Sequence, residues 1–334
     1  MDLSLVWAVI IFFGVMMYVL MDGFDLGIGA LFLMEPDRHD RDIMMNTVAP
    51  VWDGNETWLV LGGAGLLAAF PVAYSVVLSA LYLPLIFMLL GLIFRGVAFE
   101  FRFKAPEKDR SLWDAAFIGG SLVASFFQGV ALGAFLMGIA LEGHTYAGGP
   151  LDWLAPFPLF TGLGVVVAYT LLGSTWLIIK TEGELQQRMI RITRPLTLAL
   201  LAVIGVISIW TPIALPYVAE RWFAMPNFLF LSPVPTLVLV VAVLLFRSLR
   251  KGGRDAGPFI WALVLSLLGY VGMAISIWPF AVPPSISIWD AAAPESSQTF
   301  ALIGTALIVP LVLSYTAMAY YIFRGKVRHG EGYH

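Results

Sequence analysis

Long apolar runs separated by short polar clusters set the pattern of this chain. A membrane span needs about 20 mostly apolar residues. Nine runs fit that length, some closely and some loosely: Ser4 to Leu33, Pro50 to Phe70, Ser75 to Ala98, Trp113 to Leu141, Phe157 to Ile179, Pro195 to Val218, Leu231 to Arg247, Gly257 to Trp278 and Gln298 to Phe323. The bilayer core forbids unpaired backbone, so runs of this kind are predicted to be helices. The connections are short and leave no soluble domain, which predicts an all-α integral membrane protein over residues 1–334. Met-Asp-Leu-Ser-Leu at the start has no basic region, so the first run reads as a retained helix and not a signal peptide.

Composition agrees. Hydrophobic residues make up 60% of the chain and charged residues 12%, against about 25% charged in soluble domains. The net charge of −3 gives no pull toward nucleic acid. Cysteine is absent, which excludes disulfides and cysteine-ligated iron–sulfur clusters from this chain.

The few charges fix an expected orientation. Cytoplasmic connections collect Lys and Arg. Taking alternate connections, one side holds Arg38 and Arg41, then Arg95, Arg102, Lys104, Lys108 and Arg110, then Lys180, Arg188, Arg191 and Arg194. Arg247, Arg250, Lys251 and Arg254 follow, with Arg324, Lys326 and Arg328 in the tail. Only Arg221, of 19 basic residues, falls on the other side. This split predicts an odd number of spans, about nine, with the N-terminus outside and the C-terminus cytoplasmic.

Acids inside apolar runs are costly, roughly 3 kcal/mol each at the bilayer centre, and so mark candidate function. Asp22 and Asp25 are three apart in the first run and share a helix face. Asp25 lies about eight residues before Glu35-Pro36-Asp37, or about 12 Å in from the cytoplasmic end. Asp53 and Glu56, again three apart, open the second run. One reading is ordinary: acids in a first turn complement the helix dipole, with Pro50 at the first helical position. The other is a proton-carrying cluster of Asp22, Asp25, Asp53 and Glu56, with Asn55 and Thr57 completing a hydrogen-bonded chain. Glu100, between Arg95 and Arg102, reads as part of a surface ion-pair face, and Asp37 to Asp42 as a solvated loop. His39, His329, His334 and His144 all fall in connections or the tail. Haem in a helix bundle takes at least one axial His, sometimes His with Met, or a Cys, so this chain is expected to bind no haem itself and no metal, with its 13 methionines serving packing.

The run Asp22-Gly23-Phe24-Asp25-Leu26-Gly27-Ile28-Gly29 followed by Ala49-Pro50-Val51-Trp52-Asp53-Gly54-Asn55-Glu56-Thr57-Trp58-Leu59 resembles subunit II of cytochrome bd-type quinol oxidases. The likeness continues in Phe94-Arg95-Gly96-Val97-Ala98-Phe99-Glu100-Phe101-Arg102, Trp278-Pro279-Phe280, Trp289-Asp290, Ser296-Ser297-Gln298, Val309-Pro310 and Tyr315-Thr316-Ala317. The compact external connections resemble the cyanide-insensitive branch. The resemblance implies two four-helix bundles plus one peripheral helix, with the first bundle in 1–141 and the second, with the final helix, in 157–334. It implies a haem-bearing subunit I as partner, carrying two haems b and one haem d, which oxidises quinol and reduces oxygen to water. It leaves room for a small single-helix subunit beside lipid and quinone, and implies a multi-pass bacterial inner-membrane location. It places Asp53 on a cytoplasmic proton route, with Asp25 and Glu56 as further motif acids. A second reading, a proton- or ion-coupled secondary transporter, uses the same acids, but transporter sites lie near the midplane on broken helices.

Overall fold

The computed structural model describes residues 2–250 and 254–328. Lys251, His329 and His334, used in the sequence reading, lie outside the described residues. Among those described, the long elements are helices, as the apolar runs require. They are α1 (Leu3–Leu31), α2 (Arg38–Asn46), α3 (Trp52–Ala69), α4 (Pro71–Arg102), α5 (Arg110–Met137), α6 (Pro156–Lys180), α7 (Gly183–Ala214), α8 (Pro216–Phe223), α9 (Asn227–Leu231), α10 (Pro233–Ser248), α11 (Ala256–Ile277) and α12 (Glu295–Ile322). Two small hairpins, Leu141–Glu142 with Thr145–Tyr146 and Phe280–Val282 with Ile286–Ser287, add the only strands among the described residues.

Eight segments among the described residues are long and apolar enough to cross a membrane. The helix at the second expected run, α3, is not one of them: its 18 residues begin with Asp53, Asn55 and Glu56 within two turns. The runs also sit differently from expectation at several ends. The third begins at Pro71 and continues to Arg102, and the sixth begins at Gly183, so Pro195 lies inside α7. Polar and charged residues extend these helices past the apolar stretch, where hydropathy has no signal.

The first and last described residues lie at opposite ends of the molecule. Asp2 accepts a hydrogen bond from the Trp289 indole at 2.8 Å, beside the start of α12. Beyond the other end of α12, Lys326 bonds Asp255 and the Thr181 carbonyl, both at 2.7 Å. Lys180 donates to the carbonyls of Phe323 and Gly325, and the Val327 N–H to the Lys180 carbonyl, so the tail is tied to the end of α6.

Close helix contacts come from small residues, as membrane packing favours. A Cβ on Gly27 of α1 would stand 1.7 Å from the Tyr169 carbonyl oxygen of α6, and one on Gly173 of α6 would meet Gly27 at 2.6 Å. The two backbones therefore touch, and α1 packs between α3 and α5 on one side and α6 on the other.

Candidate functional site

Three elements build the polar centre. On α1, Asp22 and Asp25 share a face, and both side chains are fully buried. On α3, Asn55 and Glu56 occupy the second turn, because the helix begins at Trp52 and leaves Pro50 in the turn before it. On α4, Arg95 is fully buried, with Trp52 against its guanidinium at 5.8 Å and Trp52 stacked on Phe99 at 4.9 Å.

Arg95 is the hub. Its Nη1 donates to Asp22 Oδ1 at 2.6 Å, and its Nη2 to Glu56 Oε2 at 2.9 Å. Asn55 Nδ2 donates to Asp25 Oδ2 at 2.8 Å, and Tyr320 of α12 donates its hydroxyl to Asn55 Oδ1 at 2.9 Å. The structure thus brings together Asp22, Asp25, Asn55 and Glu56. It leaves Asp53 exposed on the outer side of α3, away from this network, and Thr57 bonded back to the Gly54 carbonyl at 2.7 Å. Two of the three carboxylates pair with the one guanidinium, and the third, Asp25, is bonded by Asn55. Asp25 Oδ1 and Arg95 Nε have no hydrogen-bond partner within the protein.

Two sequence readings need correction. Arg95 is not a loop cation: α4 runs through it to Arg102, and its side chain is sequestered by two acids on other helices. Glu100 is exposed and pairs with Lys104 at 3.2 Å, but Arg95 and Arg102 do not join that surface face. Residues 37–42, expected as a solvated loop, open helix α2. Asp37 caps it, accepting from the His39 N–H at 2.7 Å and the Asp40 N–H at 3.3 Å. These N–H groups hold the exposed Asp37 carboxyl below the usual aspartate value.

The charges of α2 are spent on tertiary ion pairs. Arg41 reaches Asp114 of α5 at 2.9 Å and the Glu35 and Phe32 carbonyls at 2.7 and 2.9 Å. Arg102 binds Asp42 and Asp114, each at 2.5 Å. Arg188 of α7 binds Glu35 at 3.1 Å and also Asp40. This layer clamps α1, α2, α4, α5 and α7 together just beyond the buried acids. Little in the local sequence marks it, since apart from Arg102 with Asp114, 12 positions apart, the pairs join residues 60 to 153 positions apart.

Fold and site define a class: a multi-pass membrane subunit with a buried acid–arginine centre near the end where its basic residues collect. Comparison with known proteins makes that specific. A profile of the family described as cytochrome bd terminal oxidase subunit II matches residues 3–323, and the chain belongs to that family. Subunit 2 of the cytochrome bd-I ubiquinol oxidase of Escherichia coli (strain K12) is 28% identical over 362 residues, covering 97% of this chain and 95% of that protein. Subunit 2 of the cytochrome bd ubiquinol oxidase of Bacillus subtilis (strain 168) is 28% identical over 347 residues, covering 99% and 97%. A chain in the solved bd oxidase of Geobacillus thermodenitrificans shares the fold, with a TM-score of 0.73 at 17% identity, over 97% of this chain and 99% of that one. The chain is accordingly a terminal oxidase subunit of the bacterial inner membrane; the transporter reading finds no support among these matches.

Proposed function

We propose that this chain is the haem-free subunit of a complex whose haem-bearing subunit I oxidises quinol and reduces oxygen to water. Its part is to support that partner and to supply protons from the cytoplasm. One observation carries the proton role: Asp22 and Glu56 pair with a single Arg95, and Asp25 lies beside them bonded to Asn55, at a buried site near the basic end of the molecule. A surplus of acids held away from bulk water is the composition of a site that takes up and passes protons.

In this reading α3 crosses the membrane as a ninth span, tolerated because its polar first turns face protein and the cytoplasmic surface. The N-terminus lies outside. The helices up to α5 form one bundle, those from α6 to α11 the second, and α12 packs on the periphery. Asp53, exposed at the start of α3, is the receiving group, and Asp25 the buried acceptor behind Asn55. The described histidines fit a haem-free chain, since His39 stands on α2 and His144 in a hairpin turn, both exposed and outside the spans. The partner is expected to supply two haems b and a haem d. Lipid, quinone and a small single-helix subunit are further expected neighbours. Exposed apolar residues along α12, including Phe300, Ile303, Leu307 and Leu311, offer surface to lipid or protein neighbours.

The test is an absorption spectrum and oxygen-consumption assay on the complex purified through this chain. Haem bands with quinol-dependent oxygen uptake are expected. A colourless, autonomous protein would overturn the reading.

A further inference from the structure

Behind Asn55, a crevice between α3 and α12 is lined by Val51, Gly54 and Asn55 on one side and Tyr315, Thr316 and Tyr320 on the other. Its volume is about 10 Å³, which is room for the centre of one water molecule. Thr316 is 8% exposed, and its hydroxyl has no hydrogen-bond partner in the protein. A buried polar atom left unpaired beside a water-sized, partly polar space is the usual signature of an internal water site. Thr316 and Tyr320 are four apart on α12, so both hydroxyls are carried on one helix face.

We propose that this crevice binds one water, held by Thr316, and that it is the step through which protons reach Asp25, with Tyr320 and Asn55 as its gate. The idea rests on the proton-supply reading above. Asn55 is wholly committed when the gate is shut: Tyr320 pins its Oδ1 while its Nδ2 occupies Asp25 Oδ2. The bound water competes for the Tyr320 hydroxyl. Once Tyr320 bonds water instead, the amide turns and Asp25 is reachable. A hydronium in the crevice then loses one proton to the Asp25 carboxylate, forming a carboxyl O–H and leaving neutral water behind. No oxidant or further reactant is needed. The last helix, through a single tyrosine, thereby controls an acid on the first.

The experiment uses the intact complex carrying Thr316→Val or Tyr320→Phe, each of which removes one of the two hydroxyls that hold the water in the open state, so the water is lost even though Tyr320→Phe also releases Asn55. Oxygen-reduction turnover is expected to fall about fivefold, the factor matching one net hydrogen bond of about 1 kcal/mol. The fall should be larger at alkaline pH, where protons are scarce, with haem content and the quinol KM unchanged. Wild-type turnover and pH profile in both variants would overturn the crevice, as would a pH-independent loss accompanied by lost haem, which marks a structural role. A high-resolution map of the complex gives a second readout. Density within hydrogen-bond distance of Thr316 Oγ1 supports the site, and a side chain of the partner filling the space overturns it. Asp25→Asn in the same series separates the two layers: normal turnover there removes the proton-supply reading itself, whereas impaired Asp25→Asn beside normal Thr316→Val and Tyr320→Phe removes the crevice alone.

Discussion

Arg95 and Asp22 form an ion pair at 2.6 Å in which both side chains have no solvent exposure. Removing one partner of such a pair strands a buried charge and typically costs about 3–5 kcal/mol. Arg95→Met strands Asp22 and frees Glu56, so the complex is expected to lose thermal stability and yield. Arg95→Lys is expected to recover only part, because one ammonium does not reproduce a guanidinium that serves two acids on different helices. Thermal melting of the purified variants, followed by haem absorbance, checks both.

Asp53 contrasts with this. It is exposed and makes no ion pair among the described residues, so Asp53→Asn is expected to change stability by no more than about 0.5 kcal/mol. Oxygen reduction should nevertheless slow, with normal haem content. Unchanged turnover in an intact complex would falsify its place on the proton route.

The touching backbones of α1 and α6 leave no room at Gly27. Gly27→Ala puts a methyl 1.7 Å from the Tyr169 carbonyl unless the helices separate. Overpacking of this kind costs about 1–3 kcal/mol or more. Lower melting temperature and poorer assembly are expected, and Gly63→Ala is the control, since a Cβ there meets nothing within 4 Å.

The Asp37 cap gives a pH dependence. Its carboxyl is held below the ordinary aspartate value by the His39 and Asp40 N–H groups, so its contribution to α2 is full above the unfolded value of about 3.9. It is lost as pH falls through the lower folded value. Hydrogen exchange of the α2 amides is expected to quicken over that acid range in the natural chain. In Asp37→Ala the exchange should already be fast and should show no such dependence.

The chain expressed without its partner is expected to show no visible absorption band. A Soret band from the lone, purified protein would place a haem on it.

How much of this was legible depended on range. Apolar runs announce helices because burial in lipid is a local property, and the Asp22, Asp25, Asn55 and Glu56 set could be chosen because polar groups in apolar surroundings stand out. Arg95 was misjudged because it lies near the basic stretch that follows it, and hydropathy does not show that α4 continues another two turns beyond it. The α2 clamp looked like solvated charge because its partners, Asp114 and Arg188, are far away in sequence. Tyr320 gave no signal whatever, since one tyrosine in an apolar helix resembles any other. Asp53, the most conspicuous acid of its motif, proved to stand outside the buried network.

The tether of the tail to α6 has a practical side. Tyr320 stands one turn before Phe323 and Gly325, whose carbonyls Lys180 grips. Shortening the chain to the end of α12 therefore unties the helical turn that aims the tyrosine, and Lys180→Ala loosens it from the opposite end. Trimming the tail is thus expected to disturb the proposed proton supply while leaving every acid in place. A fusion joined after Arg328 keeps the knot intact.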